Sequence, residues 1–370
     1  MFQSLLCILR IVLCLGLIIF IILGAFFWLP ANIHYHVTEK YTFSGGAIDT
    51  PVYLGVILPK SGPYQQVENV QISWDGVWQE EDFGFVDAAK LSGMKRGNEE
   101  LVGTIEYDVK LPQGPVSWFD PVKDFQRLPQ AGIESDCECM LAKASSLNDG
   151  VSTMDAYKIY AYTAEYLTYS EEQMDCTSVS AIEAYQIGLG VCAAYARLMT
   201  ALCRASEIPA QMVLGLTYPD PMFKPQVTNV PQKPEVAHAW VEFYAGERWS
   251  IADPTWGARY PKFMQFGRND ARHLVYGELE QILIVDNSLE IWAQEQAQFV
   301  LNPEGCFRYS STSDSNQVSF LPVMSIRRTW DGRWVNTLIV WVIMVAFIMK
   351  FRDKLVGLPG PQEGKPNLEV

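Results

Sequence analysis

The residues best placed to do chemistry start at Cys192. The run Gly188-Leu189-Gly190-Val191-Cys192-Ala193-Ala194-Tyr195-Ala196 ends a glycine-containing loop at a cysteine that opens a helix, expected over residues 192–204. A thiol at that position faces unpaired backbone N–H groups and the positive end of the helix dipole, which favours the nucleophilic thiolate. Downstream, Val236–Tyr244 and Arg248–Ala252 read as two strands of a hairpin. With a two-residue turn at Ala245-Gly246, Tyr244 pairs with Glu247 and His238 falls directly opposite Asp253, Cβ atoms roughly 4.5–5.5 Å apart. A turn at Gly246-Glu247 makes the pair diagonal, and a three-residue loop without a bulge puts the two side chains on opposite faces. In the paired arrangement His238 takes the Cys192 proton while Asp253 fixes the ring tautomer and stabilises its charge. Of the four histidines, His34 and His36 sit beside an apolar block, and His273 lacks an adjacent acid in a comparable hairpin. The Cys192 N–H is the natural first oxyanion donor, and Gln186 is a candidate for the second.

These blocks carry a resemblance. Gly190-Val191-Cys192-Ala193-Ala194-Tyr195-Ala196-Arg197 through Ile208-Pro209-Ala210-Gln211, then His238-Ala239-Trp240-Val241-Glu242, then Trp249-Ser250-Ile251-Ala252-Asp253-Pro254-Thr255, resemble the three signature segments of the transglutaminase-like superfamily, whose core is related to papain-like thiol proteases. The resemblance spans about residues 130–260, in the family's order. It implies Cys192 as nucleophile, His238 as base and Asp253 as orienting acid. It also implies an α+β fold: a transglutaminase-like core of helices packed on an antiparallel sheet, preceded by a β-rich domain of the kind found in membrane-anchored prokaryotic members. Two positions depart from the pattern. Gln211 stands where an Arg commonly follows Ile-Pro-Ala, and Ser206-Glu207 replaces the usual Gly before Ile208. Neither belongs to the triad, so they touch packing rather than chemistry. No Asp-x-Asp-x-Asp-Gly calcium loop is present.

The elements that must hold these groups follow from patterning. Ser152 followed by Asp155 is an N-cap box, and Tyr157, Tyr160, Ala161, Ala164 and Leu167 recur at helical spacing behind it, giving a core-facing stripe. Ala210–Leu216 is expected as a third strand beside the hairpin. Upstream, residues 51–116 hold β-rich runs such as 52–58 and 101–111, expected to form a small antiparallel sandwich that breaks at Leu111-Pro112-Gln113-Gly114-Pro115. Pro219, Pro221, Pro225, Pro231 and Pro234 precede His238 as a proline-rich surface loop.

Two uncharged blocks frame this middle. Ile11–Leu29 has the length of a membrane span and closes on Phe26-Phe27-Trp28-Leu29-Pro30 rather than a small-x-small cleavage site; Trp334–Met349 is shorter and is followed by Lys350, Arg352 and Lys354. The domain reading is therefore a transmembrane anchor at 1–30, a β-rich domain at 31–116, a catalytic domain at 130–300, a linker at 301–333, a second transmembrane helix at 334–351 and a cytoplasmic tail at 352–370. Arg10 before the first span favours an inward N-terminus, which makes the chain a two-pass plasma (inner) membrane protein with both termini cytoplasmic and the catalytic domain outside.

Composition narrows the partners. The 370 residues are 49% hydrophobic, with 28 basic against 42 acidic side chains. That balance excludes nucleic acid, which demands a cationic face. No cofactor and no metal are expected, because Cys137-Glu138-Cys139 has no second Cys/His pair at zinc-site spacing. Cys203 is expected to be buried, and Cys137, Cys139, Cys176 and Cys306 could form up to two disulfides in an oxidising exterior. The expected partners are a peptide or protein substrate and the lipid bilayer. The expected function is a thiol enzyme acting on amides by hydrolysis or acyl transfer, the alternative being a catalytically silent scaffold that binds peptide or cell-envelope polymer.

Overall fold

The computed structural model describes residues 16–26, 29–84, 86–147, 152–170, 179–217, 227–231, 237–301 and 309–356. In chain order, a helix α1 (Gly16–Phe26) precedes strands β1 (Ala31–Ser44), β2 (Thr50–Leu58), β3 (Gln66–Ser73), β4 (Gly76–Asp82), β5 (Asp87–Lys95) and β6 (Leu101–Pro115). Helices α2 (Glu138–Leu147) and α3 (Thr153–Tyr166), strand β7 (Thr168–Tyr169), α4 (Ala181–Ile187), β8 (Leu189–Gly190) and α5 (Cys192–Ala205) follow. Then come β9 (Ala210–Thr217), β10 (Val227–Pro231), β11 (Ala237–Ala245), β12 (Arg248–Ala252), a short α6 (Pro254–Gly257), β13 (Arg268–Asp270), β14 (His273–Glu278) and α7 (Leu279–Gln296). The chain ends with β15 (Phe299–Val300), β16 (Tyr309–Ser313), β17 (Ser319–Asp331) and α8 (Arg333–Val356).

The fold is a mix of α and β in which the three larger sheets are built from antiparallel pairs, while β7 and β8 pair in parallel. One sheet runs β10-β17-β1-β6-β13, with β3 also on β6; a second runs β15-β16-β2-β5-β4; a third, β12-β11-β9-β14, carries the hairpin. Helix α5 lies on this third sheet, against β11 and β9, with α2, α3 and α4 beside it. Twelve of its residues are buried, from Ala193 to Arg204, which is why its stripe is almost continuous rather than amphipathic. Cys203 is fully buried, and burial pushes its thiol up to about 12.

The segment expected as a β-rich domain shares its sheets with later segments of the chain. Residues Asn32–Trp330 form one compact unit. The early strands do not close their own sheets: β6 takes β13 as a partner, and β2 takes β16. Likewise the linker expected at 301–333 contains two strands. In β17 alternate residues Pro322, Met324 and Ile326 are buried, a half-buried strand pattern that Arg327-Arg328 and the neighbouring apolar block obscure. The break expected at 111–115 is a strand instead. Pro112 is tolerated because it falls between Lys110, the last residue paired to β3, and Gln113, the first paired to β13.

The helices near the two ends form a unit of their own. Helix α8 contains an 18-residue stretch, Arg333–Lys350, long and apolar enough to cross a bilayer, and extends to Val356, beyond its expected end. Its polar residues are satisfied locally: Asn336 Nδ2 donates to Pro30 O at 2.9 Å and Thr337 Oγ1 to Arg333 O at 2.9 Å. The described part of the first block, α1, is a shorter apolar helix, so two spans are not established. The proline-rich loop before His238 lies outside the described residues except for Pro231, and Cys176 and Cys306 lie outside them as well.

Candidate active site

Cys192 is the first residue of α5, and local sequence fixes it there. Gly188 ends α4 in the left-handed conformation, at φ 71°. Gly190 lets the loop approach the new helix: a Cβ on it would sit 2.3 Å from that of Ala194. The N-cap is Val191, whose side chain accepts no hydrogen bond, so no side chain caps the first turn around the thiol. Cys192 itself is partly exposed.

His238 points from β11 into the same place. Asp253 terminates β12 and caps α6, its Oδ1 accepting from Trp256 N at 3.0 Å while its Oδ2 accepts from His238 Nε2 at 2.8 Å. With Nε2 spent on Asp253, the Nδ1 side of the ring remains, and the Cys192 thiol lies near enough to His238 to favour its charged form. Cys192 therefore lies beside the hydrogen-bonded His238–Asp253 pair.

The hairpin register differs from the direct pairing. Val241 faces Ala252 and Ala245 faces Arg248, so the turn is Gly246-Glu247, at φ 62° and 65°, and the His238–Asp253 pair is diagonal. This register keeps Ala245 buried and leaves the charged Glu247 exposed in the turn. A shift of two in the register sum leaves every side chain on its original face, so the contact survives.

Aromatic residues enclose the cluster. The His238 ring lies 6.1 Å from Trp240 and 5.5 Å from Trp256, centroid to centroid. Tyr160, from α3, is fully buried and donates to Lys262 O at 2.9 Å. His238 and Asp253 are 6% and 4% exposed, so their interaction is weakly screened. Burial works against the His238 imidazolium, but the Asp253 carboxylate and the Cys192 thiol favour it, and the group is raised to about 10. Burial also works against the Asp253 carboxylate, yet His238 and His273 hold it well below the usual carboxylate range.

His273, set aside in the sequence for want of a neighbouring acid, is the residue that reasoning missed. Its Nε2 lies 3.1 Å from Asp253 Oδ2 and its Nδ1 3.1 Å from Asp270 Oδ1. The Asp270-x-x-His273 spacing is visible in the chain; the contact across 20 positions to Asp253 is not. One atom each from His238, Asp253 and His273 lies within 4.8 Å of the others, a spacing a metal could use. The same atoms are hydrogen-bonded to one another, His238 Nε2 and His273 Nε2 each to Asp253 Oδ2. Gln186 is exposed near the end of α4 and lies outside the buried cluster. Gln211 is buried, donating through Nε2 to Glu242 Oε2 at 2.7 Å and accepting from Gln126 Nε2.

Comparison with known proteins agrees with the resemblance over this region. Residues 141–254 match the model of the transglutaminase-like superfamily, and so carry a transglutaminase-like core. No curated protein matches the chain. Among solved structures, a protein of Cytophaga hutchinsonii proposed to be a cysteine protease aligns at 13% identity over 82% of this chain and 93% of its own, with a TM-score of 0.49. The periplasmic domain of TgpA from Pseudomonas aeruginosa aligns at 16% identity over 62% of this chain and 91% of its own, with a TM-score of 0.32.

Proposed function

We propose that this chain is a membrane-anchored thiol enzyme acting on peptide or protein amides outside the cytoplasm through a Cys192 thioester. The observation that carries the reading is the 2.8 Å hydrogen bond between His238 and Asp253 with the helix-opening Cys192 thiol beside the same imidazole. The thiol proton passes to His238, and the sulfur attacks the amide carbonyl carbon. As the C–N bond breaks, the proton on His238 goes to the departing amine, leaving a thioester on Cys192. Water or an amine then attacks that thioester, His238 taking a proton from the nucleophile, and the acyl group leaves as acid or new amide. Asp253 offsets the positive charge that His238 carries between these steps. The anchoring rests on α8 and the apolar first block, and the outward orientation on Arg10.

The experiment is labelling of membranes containing the full chain with a thiol-reactive peptide-amide probe, in wild type and in Cys192→Ala, His238→Ala and Asp253→Ala. Labelling of the wild type that disappears with Cys192→Ala and weakens in the other two supports the reading. A wild-type Cys192 that reacts no faster than a free thiol, and that His238→Ala does not slow, makes the cleft a binding scaffold instead.

A further inference from the structure

His273 is built into the site with more apparatus than a core histidine needs. It opens β14, is 3% exposed, and sits between two carboxylates, one on each ring nitrogen. An ionised carboxylate can only accept hydrogen bonds, so a ring that satisfies both partners must donate from both nitrogens, and that ring is the imidazolium. The chain is bent to achieve this. Ala271, fully buried, stands at φ 59°, a left-handed conformation that an L-residue adopts only under strain, and so brings His273 back to within reach of Asp270. Asn269 Oδ1 accepts from Ala271 N and Tyr35 donates to Ala271 O, pinning the bend.

We propose that His273 is a positioning residue of the thiol site: a buried imidazolium that holds the Asp253 carboxylate in place and opposes, across 5.5 Å, the positive charge that His238 acquires. The inference rests on the enzymatic reading above and deepens it. The charged and titratable groups around the ring are Asp270 and Arg272 on its own segment, Asp253 at the start of α6 and His238 on β11, with Cys192 beyond His238. Arg272 bonds Asp270 Oδ2 at 3.1 Å and stacks its guanidinium 4.1 Å over Trp256. Trp256 and Trp240 lie 4.8 and 4.9 Å from the His273 ring and keep water from it. Burial disfavours the charged His273, while Asp270 and Asp253 favour it, and the net direction is upward.

The consequence is a division of labour. Asp253 alone would bind the His238 proton too firmly for its release to a leaving amine. A second cation on the same carboxylate oxygen weakens that hold and also favours the thiolate. Removing the His273 charge therefore raises the pH at which His238 loses its proton.

The test uses the full chain in detergent and iodoacetate, an anion drawn to the His238 imidazolium. The pH profile of its rate with Cys192 should be a bell whose alkaline limb falls as His238 deprotonates. In His273→Gln the alkaline limb of the bell should move to higher pH by about one unit, the size of a like charge at this range, and in His273→Lys, which restores a cation, it should return toward wild type. Histidine 15N spectra of the wild-type chain, which has four histidines, should show His273 doubly protonated at pH 7. A bell that stays in place in His273→Gln, or a His273 ring neutral at pH 7, overturns the inference even when the wild-type bell upholds the enzyme. If neither variant folds, the wild-type spectra decide alone. A wild-type chain with no bell, whatever the state of His273, removes the enzyme reading and this one with it.

Discussion

His238 and Asp253 are hydrogen-bonded at 2.8 Å although the ladder does not set them opposite each other; the position across from Asp253 belongs to Trp240. The contact depends on Asp253 leaving the strand to cap α6, which aims Oδ2 back along the sheet while Oδ1 holds Trp256 N. Asp253→Asn keeps the shape and loses the charge that favours the imidazolium. We expect the turnover of amide substrate to fall by at least about a hundredfold with the fold intact. Asp253→Ala should in addition lose the cap and about 1 kcal/mol of stability. Steady-state kinetics with thermal melts separates the two effects, and an Asp253→Asn variant of wild-type activity would remove Asp253 from the mechanism.

Gly215 on β9 is the Cα partner of both His238 and Val275, in the middle of the third sheet. A Cβ there would lie 2.1 Å from Leu274 O and 2.5 Å from the Trp240 ring. A backbone oxygen cannot swing aside, so the cost falls on the sheet and on the wall behind both histidines. Gly215→Ala should lose about 2–3 kcal/mol of stability, the range of an overpacked core, and should reduce kcat more than it raises KM. Equilibrium unfolding checks the first statement; a loss smaller than that of an exposed Gly→Ala change would show that β14 yields freely.

Much of the site was legible because short-range chemistry sets it. The Ser152–Asp155 box starts α3 as its spacing implies, Cys192 opens α5, and β12 has the expected bounds of Arg248–Ala252. Less legible was what depends on pairing at long range. The early strands look self-sufficient in sequence, yet their sheets are completed by β13, β16 and β17, hundreds of residues later in some pairs. Helix α7 went unread for a local reason: Leu279, Ile282, Val285, Leu289 and Ala293 make a buried stripe, but Leu283, Ile284 and Ile291 are exposed and blur it, and its N-cap, Glu278, makes no side-chain cap. His273 was hidden in the same way, since its second acid comes from a different strand.

The departure at Ser206-Glu207 has a structural cost. Helix α5 ends with Ile208 N donating to Cys203 O at 2.9 Å and Glu207 N to Arg204 O at 3.0 Å, a Schellman closure that puts Glu207 in the left-handed region at φ 60°. Glycine suits that position, and an exposed Glu gains nothing from it. Glu207→Gly should stabilise the protein by about 0.5–1 kcal/mol, the strain relieved less the added freedom of the unfolded chain, with activity unchanged. Chemical denaturation measures it, and a destabilised variant would mean that Glu207 makes a contact that offsets its backbone strain.

Glu242 predicts how stability changes with pH. It is buried on β11, accepting from Tyr64 at 2.6 Å and from Gln211 at 2.7 Å, with a neutral Gln where a cation would be expected. Burial pushes its carboxyl up to about 7 from 4.5, the two hydrogen bonds only partly opposing. Because the folded value lies above the unfolded one, its contribution is complete below about pH 4.5 and is lost as pH rises through about 7, a swing on the order of 3 kcal/mol. His238 acts in the same sense but in a higher window, from 6.5 to about 10. Asp286, likewise raised to about 7, overlaps the Glu242 window, so the comparison must be between variants. Unfolding free energy should fall between pH 5 and 7 in the wild type and fall distinctly less in Glu242→Gln. Gln211→Arg, which would place a guanidinium beside the carboxylate, should lower the Glu242 pKa and flatten the same slope. Parallel curves for wild type and Glu242→Gln would mean that Glu242 is ionised in the fold and that its two hydrogen bonds suffice to hold the charge.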